Sequence, residues 1–392
     1  IDGAGKTVWT QSFEMKTPVI NVNGDYAVIA DQQGNQLYIC STAGCTGVAK
    51  TQLPITKAAV SSRGITAAVV EDSSACYIFY FKKDGEELGI NIKMLLSGDG
   101  YPVDIALSPD GKQIVMSVMY MKNGTLKNKV VFYDFSEIGK NVNNRFIGGF
   151  EEEFDDKMAA RVVYLNQETV CAFSDKGLTF ISVKNVIPDS TVVTVPVEEE
   201  IKSIFYSDKY AGVVVENGSG NPSRLDVYTT DGKLAGTVDF DYDYAGVEID
   251  GDRVILYNEE SCREYNLDGH ERFNGQFDFP VSLVRAGKNR TNSLITAGSE
   301  VMKEINSQFT FDDSLIDDVQ RLDGYRPSLF LDFGDYVDHL CTDEALLSRF
   351  HQQLDRTVIH KVHTEQYYSM SMGFVTIRTF SGITVSDPSQ HR

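Results

Sequence analysis

The chain has 392 residues, more than one ordinary domain uses, and 42% of them are hydrophobic, enough for a sizeable core. Its 56 acidic side chains against 36 basic ones leave a net charge of −20, which argues against nucleic acid and anionic lipid as partners, since both select clustered Lys and Arg. No run of about 18 apolar residues occurs, so no segment reads as a membrane-spanning helix; the first residue is Ile1 rather than Met, and a leader or membrane anchor outside this sequence is the expectation.

From the N-terminus to about residue 305, short β-branched and aromatic runs alternate with Gly, Asn and Asp turns. Thr7 to Phe13 is an opening strand. A first unit then has strands at Pro18–Val22, Tyr26–Ala30, Gln36–Cys40 and Val48–Leu53, and a second at Ala58–Val60, Ile65–Val70, Cys76–Phe81 and Ile90–Leu95. The third unit holds the clearest hairpin: Val103–Leu107, a turn on Pro109-Asp110-Gly111-Lys112, and Gln113–Val118. Proline presets φ for the second turn position, and glycine accepts the positive φ that strains other residues. Strands at Lys129–Tyr133 and Asn144–Ile147 follow, then an acidic insertion, Phe150-Glu151-Glu152-Glu153-Phe154-Asp155-Asp156.

A fourth unit spans Ala160–Val195, a fifth Ile201–Phe240 and a sixth Ala245–Phe277, each with four runs. The last has three, Val281–Arg285, Ser293–Ala297 and Val301–Ile305. A period of about 40 to 45 residues with four strands per unit is that of a propeller blade. The expectation is therefore a mainly β chain: a seven-bladed β-propeller over 1–305, its last blade completed by the opening strand, so that pairing the two ends removes exposed edges. The strand-SPDG-strand unit resembles those repeated in propellers of the WD40 and TolB-like type. The order VWTQSFEMKTPVINVNGDYAVIAD, GYPVDIALSPDGKQIVMS, SIFYSDKYAGVVVEN, RLDVYTTDGK and DRVILYNE resembles an uncharacterised clostridial envelope-protein family. That resemblance implies a membrane-anchored propeller outside the membrane, and it brings no assigned activity.

Beyond residue 305 the character changes. Residues 313–320 and 336–353 read as helices, and Thr357–His363 and Gly373–Phe380 as strands. The segments SLFLDFGDYVDHL, FHQQLDRTVIHK and FSGITV resemble the C-terminal part of clostripain-like cysteine peptidases. This implies an α/β piece of a caspase-like fold over 306–392 without the catalytic His and Cys, which lie upstream in that family.

Few constellations point to chemistry. His339 and Cys341 are two apart on an expected helix and project about 200° from each other; His360 and His363 have opposite strand parity. Asp239, Asp241 and Asp243 match the start of a calcium loop, but Tyr244 and Asp250 stand where its Gly and Glu belong, so a solvated strand face opposite Phe240, Tyr242 and Tyr244 is expected. Cys40 and Cys45 flank a hairpin-like segment that a disulfide would close in an oxidising compartment. No catalytic, cofactor or metal residue is assigned. The candidate binding residues are Phe150, Glu151, Glu152, Glu153 and Phe154, an acidic, aromatic-edged docking loop, with Tyr101, Tyr120 and Tyr206 as exposed aromatics near other blade loops.

The leading expectation is thus a non-enzymatic recognition or scaffold propeller at a bacterial cell surface, binding a protein, peptide or glycan, with membrane attachment only through an anchor outside this chain. Two enzymatic alternatives are a fragment of a clostripain-like peptidase, inactive without its missing part, and a propeller hydrolase using channel carboxylates.

Overall fold

The computed structural model describes residues 8–183, 190–216, 223–277, 279–286, 292–297, 300–305, 367–369 and 374–376. Its strands form successive antiparallel meanders in chain order. The first sheet holds β1 (Pro18–Asn23), β2 (Tyr26–Asp31), β3 (Gln36–Ser41) and β4 (Gly44–Lys50); the second holds β5 (Ile55–Val60), β6 (Thr66–Glu71), β7 (Ala75–Phe81) and β8 (Glu87–Leu95). The third comprises β9 (Tyr101–Leu107), β10 (Gln113–Lys122), β11 (Thr125–Asp134) and β12 (Phe146–Phe150); the fourth β13 (Ala159–Tyr164), β14 (Thr169–Ser174), β15 (Gly177–Ser182) and β16 (Thr191–Pro196). The fifth contains β17 (Ile201–Tyr206), β18 (Tyr210–Val215), β19 (Ser223–Thr229) and β20 (Leu234–Phe240); the sixth β21 (Gly246–Asp250), β22 (Arg253–Tyr257), β23 (Ser261–Asn266) and β24 (Glu271–Gln276). A seventh has three strands among the described residues, β25 (Leu283–Ala286), β26 (Asn292–Ala297) and β27 (Glu300–Ile305).

Consecutive sheets stack face to face. Leu37 and Ile39 of the first meet Val70 and Phe81 of the second, and Ile78 and Met94 of the second meet Leu107 and Ile114 of the third. The same layering joins third to fourth, fourth to fifth, fifth to sixth and sixth to seventh. Inner strands are therefore covered on both faces and are apolar without alternation: every residue of β14 and β22 is buried. Outer strands have one wet face, and β8 alternates along most of its length. Repeated four-stranded meanders, layered face to face in chain order, are the architecture of a β-propeller.

The hairpin at 108–112 forms as its residues suggest. Gly111 has φ +74° and donates its N–H to Ser108 O at 2.8 Å, while Asp110 Oδ1 accepts from Ser108 Oγ and the Lys112 N–H. The third sheet departs from expectation in two ways. Its central hairpin runs on through ten-residue strands to a turn at Asn123-Gly124, and of the strand expected at Asn144–Ile147 the first two residues lie in a 3-10 turn (Asn143–Arg145) while Phe146 and Ile147 open β12.

The opening strand is a correction. Residues 8–17 form no strand. Trp9 Nε1 donates to Ser41 O and Thr42 O, each at 3.1 Å, and the Phe13 ring lies 4.4 Å from that of Tyr38. An indole N–H and a ring contact tie this segment to the first sheet in place of a backbone ladder to the last. The two expected tail helices, Cys341, His339, His360 and His363, and the peptidase resemblance over 313–392 lie outside the described residues, apart from a short antiparallel pair, β28 (Tyr367–Ser369) and β29 (Phe374–Thr376). Among the described residues, no helix is long and apolar enough to cross a membrane.

Candidate functional site

Two regions bring polar chemistry together. The first is the acidic turn after β12. Residues Glu152–Phe154 form a 3-10 turn whose aromatic end is not an exposed edge: Phe154 is fully buried with Phe132, Val162 and Ile181 between the third and fourth sheets. Phe150 is half-buried and meets Phe132 edge-on at 6.2 Å. The expectation of a docking loop edged by both rings is corrected for Phe154, whereas Phe150 stays at the edge of the turn. An aromatic in so polar a run is there because the turn must be anchored, and the anchor holds Glu151 and Glu152 outward on a fixed frame.

Lysines already surround these carboxylates. Lys122 Nζ lies 3.6 Å from Glu151 Oε2, Lys127 2.9 Å from Asp155 and Lys176 2.8 Å from Asp156, while Lys157 stands over the Phe154 ring. Tyr120 donates its hydroxyl to Glu151 at 3.4 Å. Glu152 and Glu153 make no ion pair within 4 Å among the described residues. Beside them a cleft of about 790 Å³ is lined by Lys122, Lys129, Phe146 and Phe150 together with the acidic turn. The adjoining hairpin of β10 and β11 carries Met121 and Leu126 at its exposed end, 64% and 50% accessible.

The second region, expected in the sequence only as unnamed channel carboxylates, has charged residues that sequence reasoning did not single out. A channel of about 750 Å³ is lined by residues from the first strand of all seven sheets. Its charged groups are Lys57, Asp104, Arg161, Glu248 and Arg285, contributed by β5, β9, β13, β21 and β25. A recurring backbone irregularity positions three of them. In each of β5, β9 and β13 the ladder to the neighbouring strand skips one residue (Thr56, Val103 and Ala160), and the residue after it is Lys57, Asp104 or Arg161. Such a bulge bends the strand and re-aims the following side chain. One signal was available: a lone charge in an otherwise apolar first strand, as in ITKAAV, YPVDIAL, AARVVY and LVRA; GVEID carries Glu248 in the middle and Asp250 at its end.

Within the channel, Asp104 Oδ2 accepts the Val162 N–H at 2.9 Å and Oδ1 lies 3.6 Å from Arg161 Nη1. Arg161 Nη2 donates to the Tyr206 hydroxyl at 3.4 Å, and Arg285 Nη2 lies 3.1 Å from Glu248 Oε1. Burial raises the Asp104 carboxyl above its ordinary value against the opposing pull of Arg161, the Val162 N–H and Lys57; burial likewise raises Glu248 against Arg285. Asn21, on β1, accepts the Val60 N–H at 2.9 Å. Asn21 and Asp104 thus each join the first strand of one sheet to a backbone amide of the next first strand.

The remaining sequence candidates scatter. Tyr120 stands by the acidic turn, Tyr206 lines the channel, and Tyr101 is half-buried, with a hydroxyl that burial makes less acidic. Asp239, Asp241 and Asp243 are exposed, while Phe240 is buried and Tyr242 and Tyr244 bond Ser261 and Ser203. Cys40 and Cys45 are free thiols facing each other across β3 and β4; burial, followed by the Cys45 neighbour, pushes the Cys40 thiol up.

Comparison with known proteins adds a family and similar folds. No curated protein matches the chain in sequence. Among solved structures, BamB from Moraxella catarrhalis is 11% identical with a TM-score of 0.45, covering 73% of this chain and 81% of its own. Hsv2 of Kluyveromyces lactis is 10% identical with a TM-score of 0.48, covering 72% and 90%. The Pan2 WD40 domain of Neurospora crassa is 10% identical with a TM-score of 0.42, covering 71% and 84%. Residues 1–306 match the model of a family of unknown function, DUF5711, and the chain belongs to that family.

Proposed function

We propose that the chain is a seven-bladed propeller acting as a non-enzymatic recognition scaffold at a bacterial cell surface, held there by an anchor outside this sequence. The observation that carries this reading is the rigid display on the third sheet. Phe154 is sunk in the core beneath a turn whose Glu151 and Glu152 face solvent, next to a long hairpin ending in exposed Met121 and Leu126. A partner fitting that surface is a protein segment with Lys or Arg flanking an apolar side chain. Its cations would exchange with Lys122 and Lys127, whose exposed ion pairs contribute about 0–1 kcal/mol each. The envelope location rests on the resemblance of residues 1–305 to clostridial anchored propellers.

The test is proximity cross-linking on cell envelopes with the wild-type chain and with Glu151→Lys/Glu152→Lys/Glu153→Lys. The reading expects a defined partner to be cross-linked through the third sheet by the wild type and lost in the triple variant, with thermal stability unchanged. The same partners on both chains would sink it.

A second reading, a hydrolase working through channel carboxylates, is favoured by one observation: Asp104 and Glu248 line a single channel with carboxyls that burial raises, as a proton donor requires. Turnover in a glycan screen, abolished by Asp104→Asn or Glu248→Gln, would establish it; absence of turnover leaves binding as the role of the channel.

A further inference from the structure

The channel differs in charge from the molecule that surrounds it. The chain carries 20 more acidic than basic side chains, yet in the channel three cations, Lys57, Arg161 and Arg285, face two carboxylates, Asp104 and Glu248. Both carboxylates are already engaged, Asp104 by the Val162 amide and Arg161, Glu248 by Arg285. The donors are not used up in return. A guanidinium offers five N–H groups and an ammonium three. Among the described residues the Arg161 side chain makes one hydrogen bond, to Tyr206, with Asp104 beyond direct hydrogen-bond reach at 3.6 Å. Lys57 makes no ion pair within 4 Å among the described residues, although it stands near enough to Asp104 to favour its ionised form.

Tyr206, Thr56 and Gln32 add uncharged polar groups to the lining, and Pro18, Val19, Ile20, Ile105 and Phe205 add apolar wall. The volume, about 750 Å³, is in the range of small-molecule sites, which combine apolar walls with a few convergent polar groups. A lining in which cations outnumber carboxylates, each carboxylate already paired with a guanidinium, favours a ligand that brings acceptors and negative charge.

We propose that the channel binds a small soluble oxyanion, a molecule bearing carboxylate or phosphate groups, with Lys57, Arg161 and Arg285 as its ligands. Arg161 and Arg285 hold it while remaining paired to Asp104 and Glu248, so the empty site keeps one net positive charge, from Lys57, and the first negative charge of a bound anion neutralises it. This site is separate from the acidic surface of the third sheet, and either can fail without the other.

The experiment is titration calorimetry of the whole chain at fixed ionic strength with two probes, inorganic phosphate and citrate. The proposal expects saturable binding of at least one probe at one site per chain; which probe binds more tightly identifies the group recognised. Lys57→Met should weaken that binding about tenfold or more while leaving the melting temperature near wild type, because Lys57 forms no ion pair within 4 Å among the described residues. Arg285→Gln should weaken it similarly, and Lys233→Met, on an exposed turn of the fifth sheet, should not. No saturable binding of either probe, or binding that Lys57→Met and Arg285→Gln leave unchanged, overturns the proposal.

Discussion

Asn128 illustrates how single polar residues hold neighbouring sheets together. Its side chain is buried, yet it donates to Ser117 Oγ and Val118 O at 2.9 and 3.1 Å and accepts the Ala159 N–H at 3.0 Å, while Ser117 donates to Ala159 O at 2.6 Å. The cluster ties the central hairpin of the third sheet to the first strand of the fourth. Asn128→Leu removes three bonds and leaves a buried amide and a carbonyl short of a partner, so we expect a loss of about 2–4 kcal/mol in denaturant unfolding. The strands expected at Gln113–Val118 and Lys129–Tyr133 leave Asn128 outside the hairpin, whereas the structure sets it inside β11.

Asp104 makes a pH-dependent contribution whose sign follows from its burial. Its folded-state carboxyl is raised above 3.8, so ionising it costs more in the folded chain than in the unfolded one. The associated stability is complete below the unfolded value and is lost as pH rises through the folded value. Asp104→Asn removes this dependence. Relative to that variant, the wild type should therefore gain melting temperature as pH falls from 7 towards 4; a difference that is flat across this interval, or that shrinks on acidification, would contradict the account.

At the scale of elements, what could be read directly was local. The turn at Ser108 to Gly111 is built by its own residues, and the structure reproduces it. At Gly111, φ is +74° and an added Cβ would stand 2.8 Å from Ile65 Cβ of the second sheet, so the turn is also a contact between sheets. Gly111→Ala should cost about 1–3 kcal/mol, measured by equilibrium unfolding. The bulges on β5, β9 and β13 were not legible, because a skipped residue in a ladder leaves no mark on apolar alternation only a few residues long. For the same reason Lys57, Asp104 and Arg161 look like ordinary surface charges when each strand is read alone. Phe154 was misplaced because its neighbours are acidic; the acids describe the outside of the turn, and the ring fastens its inside.

At the scale of the molecule, the repeat predicted the sequence of sheets, since each blade lies within one stretch of about 40 residues. The manner of closure was harder to read, because it joins residues nearly 300 positions apart. Trp9 and Phe13 attach to the first sheet through side chains, and the seventh sheet shares the channel with the first through Arg285 and residues 18–22. In the proposed seven-bladed reading, the seven sheets close into one ring around that channel. Hydrogen–deuterium exchange with peptide-level mass spectrometry tests it most directly, because closure protects both ends of the series alike. The account predicts that amides of β1, β2 and β26 exchange as slowly as those of β14 and β22. Fast exchange confined to the first and seventh sheets, with the middle sheets protected, would mean that the ring is open and that the channel is not a site.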